Sequence, residues 1–209
     1  MFLYILFSFI GIGLGGLSAL KLNIGRKINV NTKIDIFIAA GIGLIIGAKI
    51  PIWISYGLTT KYLIYGKSYI GGILGAFIVI NIYKYLRHKT HETFGDNFAI
   101  PLAIASGFGK IGCYFNGCCG GTIKIPVQLI ESGFEFTMVV ILYYMYKTNK
   151  LNRILFPFYV LSYLIMRFIV EFVRTEPIVL WGLTIYQIMS LIFTPIFVLL
   201  IIKRKSYAN

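Results

Sequence analysis

Long apolar runs alternate with short polar stretches from one end of the chain to the other. Seven runs, at about 2–20, 34–57, 69–86, 97–115, 127–146, 154–174 and 180–202, approach the roughly 20 residues that a helix needs to cross a bilayer. They predict an all-α polytopic membrane protein, with seven transmembrane helices in a single integral membrane domain over residues 1–209. The first run has no basic start and no clear small-residue cleavage site after it, so it reads as a span and not as a signal peptide. Glycine recurs in the first three runs, as in Gly11-Ile12-Gly13-Leu14-Gly15-Gly16, Gly41-Ile42-Gly43 and Gly71-Gly72-Ile73-Leu74-Gly75. Small residues there let membrane helices pack closely.

Composition agrees with the pattern. Of the 209 residues, 58% are hydrophobic and 13% charged, too little polar surface for a soluble domain of this size. The net charge of +13 adds topology. Lys21, Arg26, Lys27 and Lys33 follow the first run, and Lys84, Arg87 and Lys89 the third. Lys147, Lys150 and Arg153 follow the fifth, and Lys203, Arg204 and Lys205 the seventh. The other side holds fewer cations, Lys61, Lys67, Lys124 and Arg174. The positive-inside rule makes the basic side cytoplasmic, with the amino terminus outside and the carboxyl terminus inside. Topology thus accounts for the charge, and nucleic acid is not an expected partner. His88 and His91 fall in a basic loop and read as solvated residues.

Candidate chemistry begins in the sixth run. Tyr163, Arg167, Glu171 and Arg174 stand at i, i+4, i+8 and i+11, one stripe of a helix that is otherwise apolar. An Arg near the middle of a span costs about 2.5–3.5 kcal/mol to insert, so it faces a protein interior. The stripe is either an internal ion pair that fixes packing or a polar site with cations left over for an anion. Lys49, also within a run, either snorkels to the outer interface or points at that polar centre. Gly109 to Gly121 holds five glycines in thirteen residues and predicts a broken or re-entrant backbone, with N–H groups beside Lys110 suited to phosphate. Cys113, Cys118 and Cys119 read as small buried residues or as a disulfide from Cys113 to one of the other two. A zinc site would need a fourth ligand and no His lies nearby, so no metal is expected. Pro126 suits the first turn of the fifth helix, and Gln128 and Glu131 share its face. Glu131 is expected to pair with Arg167 or Lys110, and Glu135 to be solvated or paired elsewhere.

Four stretches together resemble a known family. They are Gly109-Lys110-Ile111-Gly112 to Gly121, Pro126-Val127-Gln128-Leu129-Ile130-Glu131, Tyr163 to Arg174, and Leu183-Thr184-Ile185-Tyr186-Gln187-Ile188-Met189-Ser190. In this order they look like bacterial prolipoprotein diacylglyceryl transferase, and Arg167, Glu171 and Arg174 are the most specific part. The chain departs from the family pattern at Lys110 and Lys49, which stand for Arg, at Cys113 for Asn, at Cys118 for Glu and at Ile70 for a His. The soluble head between later helices of larger members is also missing. The resemblance implies seven membrane helices in the bacterial cytoplasmic membrane. It also implies transfer of a diacylglyceryl group from phosphatidylglycerol to the lipobox cysteine of a preprolipoprotein, without a cofactor. Phosphatidylglycerol, the preprolipoprotein signal peptide and membrane lipids are then the partners. On this reading Arg167, Glu171, Lys110 and Glu131 are catalytic, with Glu131 as a candidate base. Tyr163, Arg174, Gln128, Lys49, Gly121 and Cys113 bind substrate. The alternatives are a divergent member acting on another lipid or acceptor, with the cysteines as acyl or redox carriers, and a non-enzymatic lipid-binding or transport protein.

Overall fold

A computed structural model describes residues 2–22, 30–60, 62, 66–88, 94–121, 126–148 and 153–206. Arg26, Lys27, Lys61, Lys89, His91, Lys124 and Lys150 lie outside the described residues. Among the described residues, seven helices are long and apolar enough to cross a membrane. They are α1 (Phe2–Lys21), α2 (Val30–Tyr56), α3 (Tyr69–Leu86), α4 (Asp96–Phe115), α5 (Val127–Lys147), α6 (Leu155–Val170) and α7 (Ile185–Ser206). Large apolar side chains such as Phe9, Ile45, Tyr144, Ile169 and Leu199 are exposed along them, as lipid-facing residues are.

Two boundaries differ from the expected ones. The sixth span is not one α-helix to residue 174: α6 stops at Val170, and Glu171–Val173 form a 3-10 turn that leads into extended backbone at Arg174. The seventh helix does not start at 180. A hairpin of β1 (Ile178–Leu180) and β2 (Leu183–Thr184) precedes it. The hairpin turns through Trp181 and Gly182, both at positive φ, the backbone that two-residue hairpin turns require. Thr184 and Gln187 then cap α7 reciprocally. The Thr184 amide donates to Gln187 Oε1 at 3.0 Å, and the Gln187 amide donates to Thr184 Oγ1 at 3.3 Å.

Contacts group the chain into two compact units. The first holds residues 1–25, 95–175 and 192–209. There α1 lies against α4. A Cβ on Gly11 or Gly15 would come within 2.9 Å of Ala105 O or 2.8 Å of Pro101 O. Helix α4 meets α5 through Ser132 Oγ, which donates to Gly107 O at 2.9 Å, and through an edge-on Phe108–Phe136 contact. At the end of this unit where α4 begins, Asp96 accepts a hydrogen bond from the Phe156 amide at 2.8 Å and lies 3.8 Å from the Arg204 guanidinium. Arg204 also donates to the Arg153 carbonyl at 2.9 Å.

The second unit holds residues 26–94 and 176–191. Helices α2 and α3 meet backbone to backbone. A Cβ on Gly43 would lie 2.5 Å from Gly75 O, and one on Gly47 2.4 Å from Gly71 O. Gly13, Gly16 and Gly41 have no such neighbour within 4 Å, so the packing expected of the glycine runs is carried by only some of them. Ser68 caps α3 by accepting from the Gly71 amide at 3.2 Å. Tyr83 donates to Asp35 at 3.0 Å, and Tyr56 to Glu176 at 2.8 Å. Lys84, expected in a loop, is buried in the last turn of α3, while His88 is exposed as expected.

Candidate functional site

At the other end of the first unit, where α4 and α6 finish and α5 starts, five charged side chains meet. Lys110, Glu131 and Arg167 stand three to five residues inside the ends of their helices, about 5–8 Å along the axis. Arg167 is therefore three residues from the end of α6, in an apolar span that runs on to Val173. Glu131 is fully buried and is the hub. Lys110 forms a very close ion pair with its Oε2. Arg167 Nη1 donates to Oε1 at 2.8 Å, and Arg174 Nη1 lies 3.4 Å from Oε2. Arg167 Nη2 also reaches Glu171 Oε2 at 2.9 Å, with Arg174 Nε 3.7 Å from the same oxygen. Three cations thus share two carboxylates in a place where Arg167, Glu171 and Arg174 are each less than a tenth exposed. A buried ion cluster tolerates its desolvation only when its members are paired; here every member is ion-paired, and Glu131 also accepts hydrogen bonds from Lys110, Arg167 and Arg174.

The segment after α4 packs over this cluster. Helix α4 runs unbroken through Gly109 and Gly112 to Phe115. The re-entrant backbone expected beside Lys110 is therefore absent, and its amides belong to the helix. The break comes at Asn116, and Gly117 (φ 66°) and Cys119 (φ 61°) adopt left-handed backbone that folds the chain back on the end of α4. Cys118 N donates to Cys113 O at 3.2 Å. Gln128 Nε2 donates to Cys118 O at 2.7 Å, and Arg174 Nη1 to Cys119 O at 3.0 Å. Gly121 pairs with Arg174 in an antiparallel bridge, and a Cβ there would lie 2.4 Å from Val173 O. The three cysteines are free thiols, so the disulfide left open above is not formed; none of them is fully buried, and their sulfurs lie within 4.8 Å of one another. The Cys119 thiol is lowered to about 5, first by its hydrogen bond with Cys113 and then by the Lys110 and Arg174 charges. Burial raises the Cys118 thiol.

Of the expected site residues, Lys110, Glu131, Arg167, Glu171 and Arg174 share one ion-paired cluster. Gly121 belongs to the segment above it, Gln128 of α5 holds that segment by the Cys118 carbonyl, and Cys113 is in the last turn of α4. Tyr163 is buried one turn before Arg167 on α6, with its ring 6.5 Å from Tyr159. Lys49 lies in the second unit and donates to Gly66 O at 2.8 Å. Pro126 stands at the N-cap position of α5, one residue before the first turn. Ile70, in the first turn of α3, is a buried apolar residue. Glu135, left open between solvent and a partner, is fully buried and accepts from Tyr159 Oη at 2.9 Å. Tyr159 is a site neighbour that the sequence pattern missed, because a Tyr in an apolar run carries no sign of its buried partner. An open apolar groove of about 400 Å³ on another face of α6 is lined by Phe134, Ser162, Ile165, Met166, Ile169 and Val170.

Comparison with known proteins gives a consistent answer. The family model for prolipoprotein diacylglyceryl transferase matches residues 2–203. A phosphatidylglycerol–prolipoprotein diacylglyceryl transferase of Clostridium tetani is 32% identical over 121 residues, 47% of this chain and 48% of the relative. One of Clostridium perfringens is 32% identical over 96 residues, 36% of this chain and 38% of the relative. One of Limosilactobacillus reuteri is 28% identical over 158 residues, 62% of this chain and 58% of the relative. The chain thus spans about half the length of the curated relatives it matches. With a match that runs through all seven membrane helices, the chain belongs to the prolipoprotein diacylglyceryl transferase family.

Proposed function

We propose that this protein transfers a diacylglyceryl group from phosphatidylglycerol to the thiol of a lipobox cysteine on a preprolipoprotein, releasing glycerol-1-phosphate. Its place is the bacterial cytoplasmic membrane, with the amino terminus outside and the carboxyl terminus in the cytoplasm. The observation that carries the reading is the buried cluster of Lys110, Arg167 and Arg174 on Glu131 and Glu171. Within that ion-paired set, three cations against two carboxylates leave one positive charge. A lipid phosphodiester is an anion of the kind that guanidinium and ammonium groups bind by charge-assisted hydrogen bonds.

Transfer needs sulfur to attack the glyceryl carbon while the C–O bond to phosphate breaks. Negative charge then grows on the departing phosphate, and preorganised cations are the main means of stabilising it. Arg167 is the first choice for this role, with Lys110 and Arg174 beside it. Glu171 and Glu131 are positioning residues that aim the cations. Both oxygens of Glu131 are already engaged, which suits it better to that task than to taking the acceptor's proton. Tyr163, Gln128 and Gly121 shape the pocket, Gln128 and Gly121 by holding the segment that carries the cysteines. Lys49 has a substrate-binding role in this scheme by resemblance alone.

Complementation tests the reading. The wild-type chain should restore lipoprotein modification in bacteria depleted of their own transferase. Arg167→Ala should lower it by about 100- to 1,000-fold, the usual loss on removing a transition-state donor, while the protein still inserts. Full complementation by Arg167→Ala removes Arg167 from the mechanism.

A further inference from the structure

The proposed reaction needs a thiolate on the acceptor, and among the described residues of the cluster Glu131 and Glu171 are already ion-paired. Of the chain's two histidines, His88 follows α3 and is exposed. What the first unit does offer is three free thiols drawn together at the end of α4, next to the cation cluster.

Their convergence is built into the backbone. Cys113 ends a helical turn one step beyond Lys110 on α4. The left-handed residues Gly117 and Cys119 then bring Cys118 and Cys119 back towards it. Side chains from two other elements pin the returning segment, Gln128 of α5 on the Cys118 carbonyl and Arg174 on the Cys119 carbonyl. The three sulfurs lie within 4.8 Å of one another. Around a tetrahedral ion with metal–sulfur bonds of about 2.3 Å, neighbouring sulfurs stand about 3.8 Å apart, so side-chain rotation of an ångström closes the set. All three ligands are soft, which selects a thiophilic ion over magnesium or calcium.

We propose that Cys113, Cys118 and Cys119 form a three-thiolate site for a zinc-class divalent ion whose open fourth position binds the acceptor cysteine's sulfur. Three protein ligands and one free position are the arrangement of a catalytic zinc, and a thiol that coordinates such an ion is deprotonated outright. Metal binding stands on the cysteine geometry; the role of the fourth position rests on the transfer reaction proposed above. On coordination the acceptor's S–H proton passes to water. The sulfur lone pair then attacks the glyceryl CH2, the C–S bond forms and the C–O bond to phosphate breaks. The electron pair leaves on glycerol phosphate, which takes up a proton from water. Nothing is oxidised or reduced, and the ion keeps its charge.

Cobalt(II), a coloured stand-in for zinc, tests this in the full-length protein purified in detergent, reduced and stripped of metal. About one cobalt per chain should bind, with the intense visible bands of tetrahedral sulfur coordination. The bands should be lost in the Cys113→Ser/Cys118→Ser/Cys119→Ser variant, whose circular dichroism and elution should match wild type. A lipobox peptide, without lipid, should shift the bands, and the same peptide with Cys→Ser should not. Absence of stoichiometric cobalt, or bands that survive in the triple variant, overturns the site. Bands indifferent to the cysteine peptide overturn its role in activation. A normal peptide-dependent shift in a protein that makes no diacylglyceryl product instead overturns the transfer reaction and leaves the metal site standing.

Discussion

At the scale of single residues, Glu131 decides whether the cluster holds together. It is fully buried and faces Lys110, Arg167 and Arg174. Removing one partner of a buried charge pair costs about 3–5 kcal/mol, because the remaining charges stay in a low dielectric without compensation. Glu131→Ala should therefore lower the melting temperature in detergent sharply. An unchanged melting temperature would show that the three cations do not depend on it. Arg167 divides its guanidinium between Glu131 and Glu171, at 2.8 and 2.9 Å. Lysine is a point charge and cannot reproduce that fork, so Arg167→Lys gives up either the hydrogen bond to Glu131 or the ion pair with Glu171, about 1.5–3 kcal/mol. Transfer by Arg167→Lys should fall by about 10- to 100-fold, between wild type and Arg167→Ala; activity equal to wild type would show that the fork is not used. The sequence made the cluster legible through spacing: Arg167, Glu171 and Arg174 share a stripe, and Glu131 was an expected partner. The Glu135–Tyr159 hydrogen bond was not legible, since it joins two helices and nothing local marks it.

At the scale of elements, the sequence showed where the helices lie better than how they end. Apolar runs located all seven, because crossing a bilayer fixes both length and composition. The start of α7 was missed by five residues because an apolar run does not separate hairpin from helix, although Thr184 and Gln187 carry the spacing of a capping box. The break after α4 was placed too early because Gly109 and Gly112 were read with Gly117, Gly120 and Gly121 as one glycine-rich turn. A glycine in a helix that packs against a neighbour is no break: a Cβ at Gly112 would meet Tyr4 O at 3.2 Å. Close approach gives two predictions. Gly47→Leu puts a branched side chain where a Cβ is already 2.4 Å from Gly71 O, so it should abolish accumulation of monodisperse protein on gel filtration. Gly13→Leu, with nothing within 4 Å, should be tolerated, and equal behaviour of the two would refute the packing argument. Gly121→Ala forces a Cβ to within 2.4 Å of Val173 O, and should cost about 1–3 kcal/mol and reduce transfer by displacing Arg174. Wild-type transfer by that variant would show that the bridge does not position Arg174.

At the scale of the whole molecule, topology follows from charge. In the first unit Asp96, Arg153 and Arg204, from the ends of three spans, meet at the end opposite to the cation cluster. If the basic side is cytoplasmic, the cluster lies in the outer half of the membrane, the side on which the proposed transfer would take place. A fluorescent protein fused after Asn209 should be bright in bacterial cells, and an alkaline phosphatase fused at the same place inactive; the reverse would invert the topology. The central claim is that the buried cations serve diacylglyceryl transfer. The most direct measurement is the mass of a lipobox peptide after incubation with the purified protein and phosphatidylglycerol of defined acyl chains. The peptide should gain the mass of one diacylglyceryl group on its cysteine, with glycerol phosphate released in equal amount, and should gain almost none with Arg167→Ala. An unmodified peptide in the presence of folded wild-type protein, or equal modification by both proteins, would contradict the account.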